Sequence, residues 1–263
     1  WRCTVVKIPL TQALALKKEK IVALVGGGGK TSSLYLLGRE LAAQGRKVVL
    51  AAAARVSAPD SGQIPVLLEN RPGIIGERIR EILQGHDQVL AASGTEAGKL
   101  IGLDCQLLLE LAALPDNIII VEADGAQGLP LKFPAEHEPV VCSADTLVVP
   151  VLGISALGAK LGPHSFHRWN LACTHLGVEA GAEITPQLAA AAITHPCSYG
   201  KFIGVNRVVP LLNQVETKEE EDLAWEVARL LLAQRGIERV VVGAVQTAQP
   251  VRAVIYRNEV ERR

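Results

Sequence analysis

The chain has 263 residues, of which 49% are apolar and 21% charged, with 27 basic and 27 acidic side chains and a formal net charge of zero. That balance fits one large α/β domain, or one with an appended subdomain, and speaks against long disordered stretches. There is no basic excess to hold a nucleic-acid backbone or an anionic membrane, and no apolar run reaches the roughly 18 residues of a spanning helix. Aromatic residues make up only 3%, so the core must be built from Leu, Val, Ile and Ala, as buried parallel sheets usually are.

In chain order, short β-branched runs alternate with helical periods, the signature of βα units on a parallel sheet. A first strand is predicted over Lys20–Val25, then the glycines Gly26–Gly29, then a helix from Lys30 to Ala43. Leu34, Leu37 and Leu41 give that helix one apolar face, and Gln44-Gly45 closes it. A strand follows at Lys47–Ala52, and Ala53–Arg71 reads as loop because of Pro59, Asp60, Ser61, Gly62 and Pro65. Helix is predicted over Gly76–Leu83, strand over Gln88–Ala92, and helix over Asp104–Leu114 with Asp104 as its cap. Asn117–Val121 is a strongly apolar strand that runs into Glu122-Ala123-Asp124-Gly125, and Thr146–Leu152 is another.

From Gly153 to Gly200 clear strand patterns disappear, leaving helical patches at Phe166–Leu176 and Thr185–His195. Sheet character returns at Arg207–Leu212. A long helix then covers Glu219–Gln234, whose acidic first turn suits the positive end of a helix. Arg239–Val245 and Val251–Tyr256 are the final strands. The expected fold is α/β: a P-loop NTPase-like parallel sheet flanked by helices. The core spans 1–152 and 205–263, with a small helical insert at 153–204. Cys3, Cys105, Cys142, Cys173 and Cys197 form no C-x-x-C pair, and their odd number reads as reduced thiols. The first residues carry no signal-peptide pattern, so a cytoplasmic location is expected.

Gly26-Gly27-Gly28-Gly29-Lys30-Thr31-Ser32 lies between a predicted strand and a predicted helix. Glycines let the backbone approach oxyanions closely, and the N–H groups and dipole of a helix start attract phosphate. In this reading Lys30 bridges the β- and γ-phosphates of ATP or GTP, and the Thr31 hydroxyl binds Mg2+. The loop fits the short G-x-x-G-K-T-S spacing rather than the full G-x-x-x-x-G-K-[ST] form, whose first glycine would fall at Leu24. The short form resembles the loop of ATP-dependent amide ligases of the Mur type. A flexible glycine-rich turn with a solvated lysine is the competing reading.

The strand ending at Glu122 and Asp124 looks like a Walker B strand, delivering carboxylates to the edge where ligands gather in α/β folds. Alternation puts Glu122 and Asp124 on one side and Ala123 on the other. One is expected to hold Mg2+ and the other to orient a nucleophile or base, which makes both candidates for catalysis and metal binding; an acidic strand end that merely caps a loop is the alternative. Lys132 is a candidate for neutralising phosphate, and His137, between Glu136 and Glu138, for carrying a proton or binding a metal. His164, His167 and Arg168 are further polar candidates for the same cleft. Asn213-Gln214-Val215-Glu216 resembles a degraded N-K-x-D guanine-reading motif, which makes Asn213 a nucleotide-binding candidate.

Val121-Glu122-Ala123-Asp124-Gly125-Ala126 through His137-Glu138-Pro139 closely resembles the YqeC family. The glycine loop, His167-Arg168 and Pro210-Leu211-Leu212-Asn213 fall in the same order. The resemblance implies a P-loop protein that helps mature selenium-dependent molybdenum hydroxylases, with such a hydroxylase or its cofactor-maturation proteins as partner. It departs from the family at Ala51-Ala52-Ala53-Ala54-Arg55, where threonines are common; either this branch does without that contact or Arg55 supplies a different one. The competing functions are an ATP-dependent ligase or small-molecule kinase, and a nucleotide-binding chaperone without turnover. Direct selenium handling by Cys142 or another thiol is a further reading.

Overall fold

A computed structural model describes residues 8–53, 56–57 and 64–260. Its elements, in chain order, are α1 (Leu10–Ala13), β1 (Ile21–Gly26), α2 (Lys30–Ala43), β2 (Lys47–Ala52), β3 (Val56–Ser57), β4 (Val66–Leu68), α3 (Ile74–Gly85) and β5 (Gln88–Ala92). There follow β6 (Gly94–Glu96), β7 (Lys99–Ile101), α4 (Cys105–Ala113), β8 (Asn117–Glu122), β9 (Leu131–Lys132), β10 (Thr146–Gly153), β11 (Phe166–His167), α5 (Trp169–Leu176) and α6 (Pro186–Thr194). The chain closes with β12 (Arg207–Val208), β13 (Leu211–Asn213), α7 (Lys218–Leu232), β14 (Arg239–Gly243), β15 (Val251–Tyr256) and α8 (Arg257–Val260).

These elements form a mixed α/β fold around a mostly parallel sheet, ordered β15-β14-β13-β10-β1-β8-β2-β5-β4, with β12 also pairing β10. Within this order β15 runs antiparallel to β14. The central strands are buried on both faces, which is why they read as continuous apolar runs. β1 sends Val22 and Leu24 to the face covered by Leu34, Leu37 and Leu41 of α2. Its alternate residues Ile21, Ala23 and Val25 face α3 and α4. Register then aligns the strand ends: Gly26 of β1 lies beside Val151 of β10, and Leu24 lies beside Glu122 of β8.

Helix boundaries follow their chemistry. Asp104 caps α4 by accepting from Leu107 N–H at 3.0 Å. Thr217 and Glu220 form a capping box on α7, downstream of which the acidic first turn meets the helix dipole. Residues 153–204 do contain α5 and α6, and they share a core with the main body. Ile184, Leu188 and Ile193 cluster with Val227 and Leu231 of α7 and Val240 and Val242 of β14.

Several predicted elements change. The strand expected over Arg207–Leu212 splits into β12 and β13, and the break spans Val209 and Pro210; proline has no N–H to donate to a ladder. The helix expected from Phe166 starts only at Trp169, because Phe166 and His167 pair with Leu131 and Lys132 as a short parallel ladder. Within the predicted loop Ala53–Arg71, Val66–Leu68 pairs with β5 as an edge strand. Val56–Ser57, also in that loop, pairs with β7, whereas Ala54, Arg55, Pro59, Asp60, Ser61 and Gly62 lie outside the described residues. The expectation of reduced thiols is corrected for one pair: Cys105 and Cys142 are bonded, with their Cα atoms 5.3 Å apart. They are 37 residues apart in the chain. Val140 N–H donates to Ala123 O after β8, which brings Cys142 back to the start of α4. Cys173 and Cys197 are free, and Cys3 lies outside the described residues. Among the described residues, no helix is long and apolar enough to cross a membrane.

Candidate functional site

The carboxyl ends of β1, β8, β13 and β14 meet at one edge of the sheet. There they border an open cavity of about 670 Å³. Gly27 to Ser32 form one wall, Glu122 and the turn Gly125–Leu129 another, and Asn213, Gln214, Glu216 and Ala244–Gln246 a third. Lys99, from the β6–β7 hairpin, also reaches the cavity and stood out in no sequence pattern.

The glycine loop is held by its neighbours' backbones. Gly27 N–H donates to Val151 O at 2.9 Å and Gly28 N–H to Leu129 O at 3.0 Å. A Cβ on Gly27 would stand 2.6 Å from Leu129 O, and Gly28 sits at φ +63° with its Cα hydrogen side against the Gly153 backbone. Other residue types would push the loop off β10 and the Leu129-Pro130 turn. Asn213 closes the loop from the far side: its Nδ2 donates to Gly28 O at 2.6 Å, and its Oδ1 accepts from Val245 N–H at 3.0 Å. That side chain therefore shapes the loop, with both ends of its amide engaged. Gln214 is hydrogen-bonded to Ser155, while Glu216 lies on the cavity wall.

α2 starts at Lys30 with Gly29 as its N-cap, and no side chain caps it. The first N–H groups of any α-helix lack intrahelical acceptors, and here Gly29 to Ser32 line the cavity. Lys30 is buried. Its Nζ donates to Gly26 O at 2.5 Å and lies 3.4 Å from Asp124 Oδ1 and 3.7 Å from Glu122 Oε1. Thr31 Oγ1 donates to Glu122 Oε2 at 2.8 Å, and Ser32 Oγ accepts from Gln246 at 3.0 Å. Burial pushes the Glu122 carboxyl above its ordinary range; Lys30 and the Thr31 hydroxyl pull it back only in part, and the nearby Asp124 raises it further.

Asp124 has a different setting. It is buried, accepts from Gly26 N–H at 3.1 and 3.3 Å and from Tyr199 O–H at 2.8 Å, and faces Lys132 Nζ at 3.3 Å. Lys132 in turn donates to Gly125 O at 2.6 Å and to Glu138 Oε2 at 2.7 Å. Arg168 pairs with the same Glu138 oxygen. Burial alone would raise the Glu138 carboxyl, but hydrogen bonds from Arg168 and Lys132 outweigh it and hold it at about 2. Burial lowers Lys132, against the pull of Asp124 and Glu138, and raises Tyr199 well above its usual range, with Asp124 adding to the effect.

Lys132, expected beside phosphate, thus sits behind the cavity in a knot of carboxylates. His137 is exposed and away from the cavity wall, as is His164. His167 is half-buried, and burial together with Lys132 and Arg168 lowers its basicity. Tyr199 and Glu138 are the members of this knot that sequence reasoning did not single out as candidates. Tyr199 lies in the 153–204 stretch, which has no recognisable motif, and Glu138 appeared only as a flank of His137 and within the family-like segment ending at Pro139.

Residues 22–170, which hold the glycine loop, Glu122 and the whole segment to Arg168, match the family model described as YqeC protein. The chain belongs to the YqeC family. It is also 29% identical over 236 residues to "Uncharacterized protein YqeC" of Escherichia coli (strain K12), a match covering 88% of this chain and 90% of that protein. In this YqeC chain the matched stretch contains both carboxylate settings, the open one at Glu122 and the closed one at Asp124. Asn213, Tyr199 and the Ala244–Gln246 wall lie beyond it.

Proposed function

We propose that this chain binds a nucleoside triphosphate with Mg2+ at residues 26–32 and hydrolyses it. We further propose that it does so as an accessory protein in the maturation of selenium-dependent molybdenum hydroxylases. The observation that carries the nucleotide reading is the convergence on one cavity of an uncapped helix start, a lysine and a hydroxyl–carboxylate pair. An uncapped helix start favours an anion through its N–H groups and its dipole. Lys30, now shared between Gly26 O and two carboxylates, has a better partner in a polyphosphate, whose charge is larger and less buried.

Thr31 and Glu122 would hold Mg2+, because a hydroxyl and a carboxylate are the hard oxygen donors that ion takes and the two stand side by side on the cavity wall, 2.8 Å apart. The ion would supply charge neutralisation between the phosphates. Glu122 must be deprotonated to take part, so its raised carboxyl makes Mg2+-dependent binding weaken as pH falls through its pKa. Asp124 acts from behind, fixing Gly26 N–H and Lys30. Glu216 and Ala244–Gln246 form the cavity wall on the β13 and β14 side, away from β8, and the base is assigned to that side. The family's association with selenium-dependent hydroxylases supports the accessory role.

Calorimetry with ATP, GTP, CTP and UTP, with and without Mg2+, followed by a phosphate-release assay, tests the reading. Binding of at least one triphosphate, strengthened by Mg2+ and followed by phosphate release, is expected. No binding by the folded protein to any of the four ends it. The accessory role is tested separately by the activity of a selenium-dependent molybdenum hydroxylase matured with and without the chain.

A further inference from the structure

The insert carries a second cluster of metal-binding side chains. His175 lies in the last turn of α5, His195 is the C-cap of α6, and Cys197 follows two residues on. One ligand atom from each lies within 4.8 Å of the others. We propose that these three residues bind a transition-metal ion of the zinc class, independently of the nucleotide site.

Four features support this assignment. The first is rigidity: the fully buried Phe133 ring stacks on His175 at 5.1 Å and 6°, and meets His195 at 5.9 Å, so one apolar plate positions both imidazoles. The rings are 5.7 Å apart. Second, His195 Nδ1 accepts from Cys197 N–H at 3.1 Å. That hydrogen bond aims His195 Nδ1 at the Cys197 segment, and it opens when the same lone pair turns to a metal. Third, the carboxyl ends of α5 and α6 both come to this cluster, and helix carboxyl ends favour positive charge. Fourth, His175 and Cys197 are exposed, so an ion has direct access and both side chains can close in on it.

The donor set decides the class of ion. Two imidazoles and a thiolate suit zinc and similar borderline or soft ions, and do not suit Mg2+ or Ca2+, which take oxygen. Three protein ligands leave the fourth tetrahedral position to water or to an incoming ligand. Bonds of about 2.0–2.3 Å place tetrahedral ligand atoms about 3.3–3.8 Å apart, so ligand atoms that now lie within 4.8 Å of one another need only a small side-chain adjustment to bind. His195 exchanges its hydrogen bond from Cys197 N–H for the metal bond, and the Cys197 thiol releases one proton to solvent. The segment that carries Cys197 continues to Tyr199, whose hydroxyl holds Asp124 behind the phosphate loop.

Cobalt(II) titration of the full chain, under a non-thiol reductant, is the test. The expected result is a near-ultraviolet thiolate-to-cobalt band with visible bands of tetrahedral intensity, saturating at one ion per chain and displaced by Zn2+ but not by Mg2+. Cys197→Ser, at an exposed position, should lose the near-ultraviolet band, and His175→Ala should bind at least about tenfold more weakly. The absence of a band in the parent protein overturns the proposal. So does a band that survives in Cys197→Ser, which would assign the cobalt to Cys173 or another thiol. Excess ATP with Mg2+ should leave the spectrum unchanged, so loss of nucleotide binding and loss of metal binding are read separately.

Discussion

Glu122 and Asp124 leave the same strand end, yet the molecule uses them in opposite ways. Glu122 has a single hydrogen-bonding hydroxyl, a distant lysine and a cavity in front of it. Asp124 has Gly26 N–H, Tyr199 O–H, Lys30 and Lys132 around it and no opening to the cavity. A carboxylate whose lone pairs are all satisfied is fixed in place and serves the fold. One left partly unsatisfied at a cavity wall, with its ionisation disfavoured by burial, is free to take a cation. The same contrast separates Lys30, which lines the cavity, from Lys132, which lies behind it.

That contrast is open to direct attack. The largest effect is expected from Lys132→Met. It strands the buried Asp124 and half-buried Glu138 without their shared cation and should cost about 3–5 kcal/mol of stability in urea unfolding. A loss below about 1 kcal/mol would mean the knot is not structural. Glu122→Gln should do the reverse. Stability should stay within about 1 kcal/mol, because an amide still accepts from Thr31 and the buried Lys30 keeps Asp124 as its counter-charge, while Mg2+-dependent phosphate release falls about 100-fold or more. Equal turnover in variant and parent would remove Glu122 from the site. Lys30→Ala should weaken triphosphate binding by roughly 100-fold, near 2.7 kcal/mol in calorimetry, with diphosphate affinity falling less.

The smallest effect is a matter of pH. Glu138 is held at about 2 against an ordinary value of 4.5. A depressed carboxyl lends stability that is complete above its unfolded pKa and is lost as pH falls toward the folded one. Between pH 4.5 and about 2, the parent protein should therefore lose stability more steeply than Glu138→Gln, as followed by thermal melts across that range. Parallel curves would show that Arg168 and Lys132 do not hold that charge.

Much of the frame was legible in the sequence. The runs at 47–52, 88–92 and 251–256 and the helix at 30–43 stand where periodicity puts them, because a strand buried on both faces and a helix with one apolar stripe each leave a pattern that no neighbour is needed to read. Short elements left no such pattern. β4, the β6–β7 hairpin and the β9–β11 ladder have only two or three residues each and exist because a longer strand or a partner segment offers them hydrogen bonds. The bond between Cys105 and Cys142 is of the same kind, set by a chain return that no spacing rule describes.

The sequence by itself determined the phosphate-loop candidate: a strand, four glycines, Lys30, Thr31 and a helix are contiguous, so local geometry alone brings their N–H groups, ammonium and hydroxyl together. Only the tertiary structure decided which charged residues face the cavity and which brace it. Lys132 and Tyr199 reach Asp124 from separate parts of the chain, and Glu138 and Arg168 brace Lys132 from behind. Whether a buried charge is free or spoken for depends on partners that the fold brings in, from as near as Lys132 and as far as Lys30 and Tyr199.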